Sequence, residues 1–218
     1  MCVMKKNLWV AATTLVALSV ATAPALAEGD ASAGQEKSKA CMACHMADGN
    51  SVVPTWPKLA GQSAKYIVKQ LKEFKSKQRL DDTMPAQLEF INEQDMADLA
   101  AYFASQSVSP GNSSQPALVN KGKQIYRKGN IGERVIACKG CHGLKGNGNY
   151  ATLESANAAP VLNAPTLGSQ HATYVVKQLK AFKDGTRTND VDKVMRKIAM
   201  GMTDEDIEAV AEYIATLN

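Results

Sequence analysis

Cys41-Met42-Ala43-Cys44-His45 and Cys138-Lys139-Gly140-Cys141-His142 are two copies of one pattern, C-x-x-C-H. At this spacing two thiols can bond to the two vinyl groups of one haem while the adjoining imidazole binds its iron from the proximal face. Four of the chain's five cysteines lie in these motifs, and the fifth, Cys2, belongs to a segment read below as removable. A structural zinc needs four closed ligands, and each motif offers two sulfurs and one nitrogen. A disulfide framework leaves the repeated histidine unexplained. Zinc and disulfide remain as the weaker alternatives. The favoured reading is two covalently bound haem c groups, with Cys41, Cys44, Cys138 and Cys141 forming the thioethers and His45 and His142 on iron.

The amino terminus supports export, where haem attachment and oxidised cysteines are both expected. Lys5 and Lys6 precede an apolar run from Leu8 to about Ala21, and Ala25-Leu26-Ala27 supplies a small-x-small ending. That is a secretory signal over residues 1–27, and it implies a periplasmic protein. The apolar run is short of the roughly 20 residues that span a bilayer.

Residues 28–218 are long enough for two domains of common size. Residues 28–108 carry 9 basic and 11 acidic side chains, and 109–218 carry 14 and 10. Such a balance does not indicate nucleic-acid binding, and the basic second half suits docking to an acidic partner. The polar, turn-rich stretch 105–116 separates the halves as a linker, giving domains at 28–104 and 117–218.

The halves repeat one another. The motifs are offset by 97 residues, whereas Tyr66, Lys69-Gln70-Leu71-Lys72 and Phe74 recur at an offset of 108 as Tyr174, Lys177-Gln178-Leu179-Lys180 and Phe182. The second half therefore carries 11 extra residues after its motif, within 143–164. Apolar residues at three and four spacing mark helices opened by Ser63 and by Gln170 or His171. Asn92-x-x-Asp95 and Thr203-x-x-Asp206 read as caps of closing helices. Strand signals are nearly absent, so the fold class is all-α, with a leading, a middle and a closing helix in each domain.

The sixth iron ligand decides between electron carriage and an open catalytic site. His171 aligns with Ser63 and is read as a helix-start or packing residue. The closing helices align at an offset of 111, which places Met195 on Met84, while Met200 and Met202 fall on Glu89 and Ile91. Methionine is commonly a gap-filling core residue. Matched register in two copies instead favours Met84 and Met195 as axial ligands opposite His45 and His142. Pro57 and Pro165 also match, and their carbonyls are candidates to accept from the two imidazoles, or else are simple turn residues.

Taken together, C-x-x-C-H, Pro-Lys-Leu-Ala-Gly-Gln (57–62), Tyr-x-x-x-Gln-Leu (66–71), the methionine loop and the closing Asp-x-x-x-Leu-Ala-Ala-Tyr-Phe resemble the dihaem cytochrome c4 family. The resemblance spans residues 28–218 and implies two tandem cytochrome c-like domains with His/Met haems. It implies a periplasmic electron carrier rather than an enzyme, with redox protein partners, a membrane-bound oxidase or reductase among them, and possible peripheral membrane association. The second half departs by Ala164 in place of Trp56 and Arg196 in place of Pro85. Two alternatives stand beside it: the haem subunit of a flavin-dependent sulfide dehydrogenase, which similar domains also form, and, from a different class, a haem peroxidase with an open iron site.

Overall fold

A computed structural model describes residues 29–148 and 164–218. Residues 1–27, read above as an export signal, and most of the extra stretch after the second motif lie outside the described residues. In the first half, α1 (Ala31–Lys37) runs through a 3-10 turn (Ser38–Ala40) into α2 (Met42–His45), which carries the first motif. The chain then forms α3 (Ala64–Lys75), α4 (Met84–Gln87) and α5 (Glu93–Ser105). The second half repeats the order with α6 (Pro116–Lys128), α7 (Lys139–His142), α8 (Ala172–Asp184), α9 (Val194–Met200) and α10 (Asp204–Ala215). Among the described residues there is no strand, only an isolated bridge between Asn130 and Val135.

Local chemistry sets the helix starts. Ser63 accepts from the Tyr66 amide to open α3. Asn92 with Asp95, and Thr203 with Asp206, form reciprocal capping boxes on α5 and α10. Each such cap stabilises a helix by about 1 kcal/mol by satisfying amides with no partner inside the helix. His171 occupies the matching position of α8, but its side chain makes no cap.

Packing explains why the first and last helices of each half meet. A Cβ on Gly34 would come 2.0 Å from the Asp98 carbonyl oxygen, and one on Gly122 would come 1.9 Å from that of Ala209. Only glycine allows these crossings of α1 on α5 and α6 on α10. Behind them lie two cores, one around Ile67, Leu99, Tyr102 and Phe103, the other around Ile125, Tyr126, Leu179, Ile207 and Ile214.

The two glycines also expose a difference that the repeat count did not reveal. Gly34 lies seven residues before Cys41, whereas Gly122 lies sixteen before Cys138. The second half therefore holds a second set of extra residues, ahead of its motif. They form a closed loop with a 3-10 turn at Ile131–Glu133 and the Asn130–Val135 bridge.

The connection between α5 and α10's partner α6 is fastened at both ends. Buried Glu212 accepts from the Ser113 hydroxyl at 2.6 Å, the Ser114 amide at 2.7 Å and the Gln115 amide at 3.1 Å. Lys58 donates to the Ser109 carbonyl at 2.7 Å. Across the boundary, Gln62 exchanges two hydrogen bonds with the backbone of Thr166, each at 2.9 Å. Gln170 does the same with Lys58, at 3.0 and 2.9 Å. These pairs are related by the offset of 108, so the halves face each other through equivalent residues.

Candidate haem sites

Both motifs sit on one-turn helices that deliver a buried histidine. His45 and His142 are 8 % and 6 % exposed. Their Nδ1 atoms lie 2.9 Å from the Pro57 carbonyl and 3.0 Å from that of Pro165. A carbonyl can only accept, so Nδ1 carries the proton and Nε2 keeps its lone pair, which is the form that binds a metal. Burial, opposed by the carbonyl, holds both imidazoles below their ordinary pKa and so neutral.

Two matched turns place those carbonyls. The Gly49 carbonyl accepts from Leu59 and Ala60, and the Gly146 carbonyl accepts from Leu167 and Gly168. Both glycines have positive φ, and a side chain on either would strike the segment after the proline.

None of the four motif cysteines is tied up in a disulfide, so all four are available to a haem. Before a haem is attached, burial pushes the Cys138 thiol up to about 12 and raises Cys41 and Cys141 as well. With both cysteines and the histidine of each motif, Met84 and Met195 line a shared cavity of about 550 Å³. Met84 opens α4, and its amide donates to Asp81 Oδ1 at 3.0 Å. Met195 packs against the second core beside Ile198 and Cys138. Met202 also lines the cavity but lies within that core, and Met200 is 69 % exposed.

His171 reaches away from the irons' sites and into the domain boundary, where its Nε2 lies 2.8 Å from the Ser51 carbonyl. Half-exposed Trp56 and buried Ala164, the departure noted between the halves, both line the cavity.

Two cavity residues escaped the sequence reading. Arg79 and Arg187 are 5 % and 7 % exposed, and neither makes an ion pair among the described residues. Their hydrogen-bond partners are neutral: Gln70, Tyr174 and Gln178 for Arg79, and Asn189, Gln178, Tyr66 and Gln70 for Arg187. Burial raises the Tyr66 phenol, and the charges of Arg187 and Arg79 outweigh it, so the net shift is downward. A buried guanidinium with no carboxylate in ion-pair contact is costly, and Asp81 acts on Arg79 only from beyond that distance. The carboxylate side chains of a haem would supply the missing charge, so the donor set fits that group. Both arginines were legible in principle, since 79 and 187 obey the same offset of 108.

A protein-family model for cytochrome c matches residues 31–107 and 119–218. Cytochrome c4 from Pseudomonas aeruginosa is 47 % identical over 198 residues, covering 90 % of this chain and 93 % of that protein. The chain belongs to the cytochrome c family, in its dihaem cytochrome c4 branch. The crystal structure of reduced recombinant cytochrome c4 from Pseudomonas stutzeri superposes with a TM-score of 0.79 at 42 % identity, covering 87 % of this chain and all of that one. A more distant relative is a thiosulfate dehydrogenase electron acceptor of Stutzerimonas stutzeri, 33 % identical over 82 % of this chain and 79 % of its own length. Family membership makes this an electron-transfer protein with two tandem all-α domains and two covalent haem c groups, not an enzyme. No helix among the described residues is long and apolar enough to cross a membrane.

Proposed function

We propose that the protein carries single electrons in the periplasm between respiratory partners, toward a membrane-bound terminal oxidase. Residues 1–27 are its export signal, 28–104 and 117–218 its domains, and 105–116 the connection. Cys41 and Cys44 would hold one haem and Cys138 and Cys141 the other, with His45 and Met84 binding the first iron and His142 and Met195 the second. A bound haem c supplies one-electron exchange between ferric and ferrous iron.

The observation that carries this reading is the paired lining of one cavity by an oriented imidazole and a matched methionine from each half. The Pro57 and Pro165 carbonyls fix the ring tautomer and make Nε2 the better donor. Iron held by a histidine and a methionine thioether would favour the reduced state and would have no place for peroxide. Arg79 and Arg187 bring positive charge to the cavity wall, which favours the reduced state further. The apolar side chains of Ile67, Leu71, Leu179 and Ile198 keep water from that wall.

A redox titration followed by absorption and near-infrared spectra tests the reading. Two electrons per chain and a sulfur-to-iron band from both sites are the expected result. Carbon monoxide binding to the native reduced protein would overturn it in favour of an open haem site. A second reading, in which the electrons come from a sulfur-compound dehydrogenase, is supported by the similarity to the Stutzerimonas stutzeri acceptor. Reduction by purified thiosulfate dehydrogenase at a rate matching its turnover would favour that donor.

A further inference from the structure

The loop between α6 and α7 has no counterpart in the first half, and it is built rather than loose. The Asn130 and Val135 backbones exchange hydrogen bonds at 2.8 and 2.9 Å. Val135 is 1 % exposed and seats the loop in the second core. Gly201, at the end of α9, lies so close that a Cβ there would come 2.1 Å from the Glu133 carbonyl oxygen. Loop and α9 are therefore one continuous surface.

That surface spends apolar side chains on solvent. Ile131 is 88 % exposed, Ile136 56 % and Met200 69 %. Ile136 and its neighbour Ala137 also line the cavity beside Cys138, so the loop rims the opening of the second site. Around it, residues 128–139 and 193–201 hold Lys128, Arg134, Lys139, Lys193, Arg196 and Lys197 against Glu133, with exposed Asp192 at the edge. Arg196 is neutralised by Asp190, and the others leave a basic rim. The matching first-half segment, 82–90, carries Asp82 and Glu89 and no basic residue. An apolar centre inside a rim of one sign is the composition of an encounter surface.

We infer that this loop and the exposed edge of α9 dock an acidic redox protein at the second haem. The charge complementarity names the partner: a protein whose own redox centre opens through an apolar patch ringed by carboxylates. The inference rests on the second haem lying behind Ile136, and extends the carrier function by giving that haem its own partner. The first site's methionine turn, where Asp82 and Glu89 stand with Lys75, which donates to the Glu89 and Ile91 carbonyls, lacks this basic excess and leaves such a partner to the second domain.

The test mixes reduced holoprotein with oxidised plastocyanin, an acidic blue-copper protein, in a stopped-flow spectrometer across a range of salt. Arg134→Glu/Lys197→Glu is expected to lower the second-order rate about tenfold at low salt and to flatten its salt dependence. Ile131→Ser/Met200→Ser is expected to lower it about threefold and to keep the salt dependence. Lys65→Glu/Lys123→Glu, on exposed lysines elsewhere, makes the same change in net charge and is expected to act by less than about twofold. An equal loss in that control pair, or no loss in the two loop pairs, overturns the proposal. So does a homodimer that buries Ile131 and Met200 in sedimentation and footprinting. Haem absorbance verifies that each variant is loaded. Coulometric uptake of two electrons per chain tests the carrier function separately, so failure of docking and failure of carriage are told apart.

Discussion

Arg187 donates to the Tyr66 hydroxyl at 3.0 Å across the boundary between the halves, and Arg79 makes the matching contact to Tyr174 at 2.9 Å. Each guanidinium also lies 4.4 Å over a phenylalanine ring of its own half, Phe182 or Phe74. The same two residues thus close the shared cavity and join the domains. Fold and site are coupled there, because moving one half against the other must disturb both.

Replacing Arg79 with glutamine removes the donors to Tyr174 and Gln178 and is expected to cost about 2 to 3 kcal/mol, measured as a lower unfolding midpoint. It also removes a positive charge from the cavity wall, so both midpoint potentials are expected to fall, the first domain's more. Potentials that stay unchanged in a redox titration of the loaded variant would sink the electrostatic part of the argument.

Met46 follows His45 with φ 63° and ψ 167°, a region that suits glycine almost alone. The second half has Gly143 there, at φ 80° and ψ 158°. Met46→Gly should therefore stabilise the first domain by about 1 kcal/mol, the relief of strain exceeding glycine's greater entropy when unfolded. Chemical denaturation followed at the first haem measures the gain, and destabilisation would show that the Met46 side chain contributes more packing than its backbone costs.

The motifs, the caps and the pairing of Met84 with Met195 on one cavity wall were legible because each is a short pattern repeated at a fixed offset. The capping boxes at Asn92 and Thr203 need only residues three apart, and the sequence displays them directly. The loop at 129–137 was not legible. Its presence follows from a crossing of α6 on α10 that only Gly122 marks, and glycine has no periodic signature. The arginine pair was missed for another reason. A charged residue near a helix end normally points to solvent, and only the assembled boundary buries Arg79 and Arg187 among neutral partners.

Acid should act first on the contact between α1 and α5. Asp98 accepts from Lys37, the Asp30 amide and Gln94, and its pKa falls from 3.8 to about 2, the Lys37 hydrogen bond being the main cause. A depressed carboxylate stabilises the folded state above its unfolded pKa, and that contribution is lost as pH falls from 3.8 toward about 2. Denaturation midpoints between pH 6 and 2 should drop through this window in the native chain. Asp98→Asn should be weaker at neutral pH and flatter below pH 4, and parallel profiles would refute the assignment.

The second methionine turn is held differently from the first. Before Met84 the chain uses Asp81, which accepts from the Met84 amide, and Pro85 stiffens the step that follows. Before Met195 it passes through two left-handed residues, Asp192 and Lys193, at φ 53° and 59°. There the holding group is Arg196, whose Nε donates to Asp190 Oδ1 at 2.7 Å and whose amide donates to Oδ2 at 3.0 Å. Asp190 is nearly buried, so removing its partner leaves a carboxylate short of donors at a strained turn. On the proposed ligation, Arg196→Ala should split the loss of the sulfur-to-iron band in denaturant into two steps. The half belonging to Met195 should go earlier, by about 1 to 2 kcal/mol, and the half belonging to Met84 should not move. Arg196→Lys should restore little, because an ammonium cannot reproduce the planar fork. A single transition at the native midpoint in Arg196→Ala would show that Met195 is positioned by the core around Ile198 and not by Arg196.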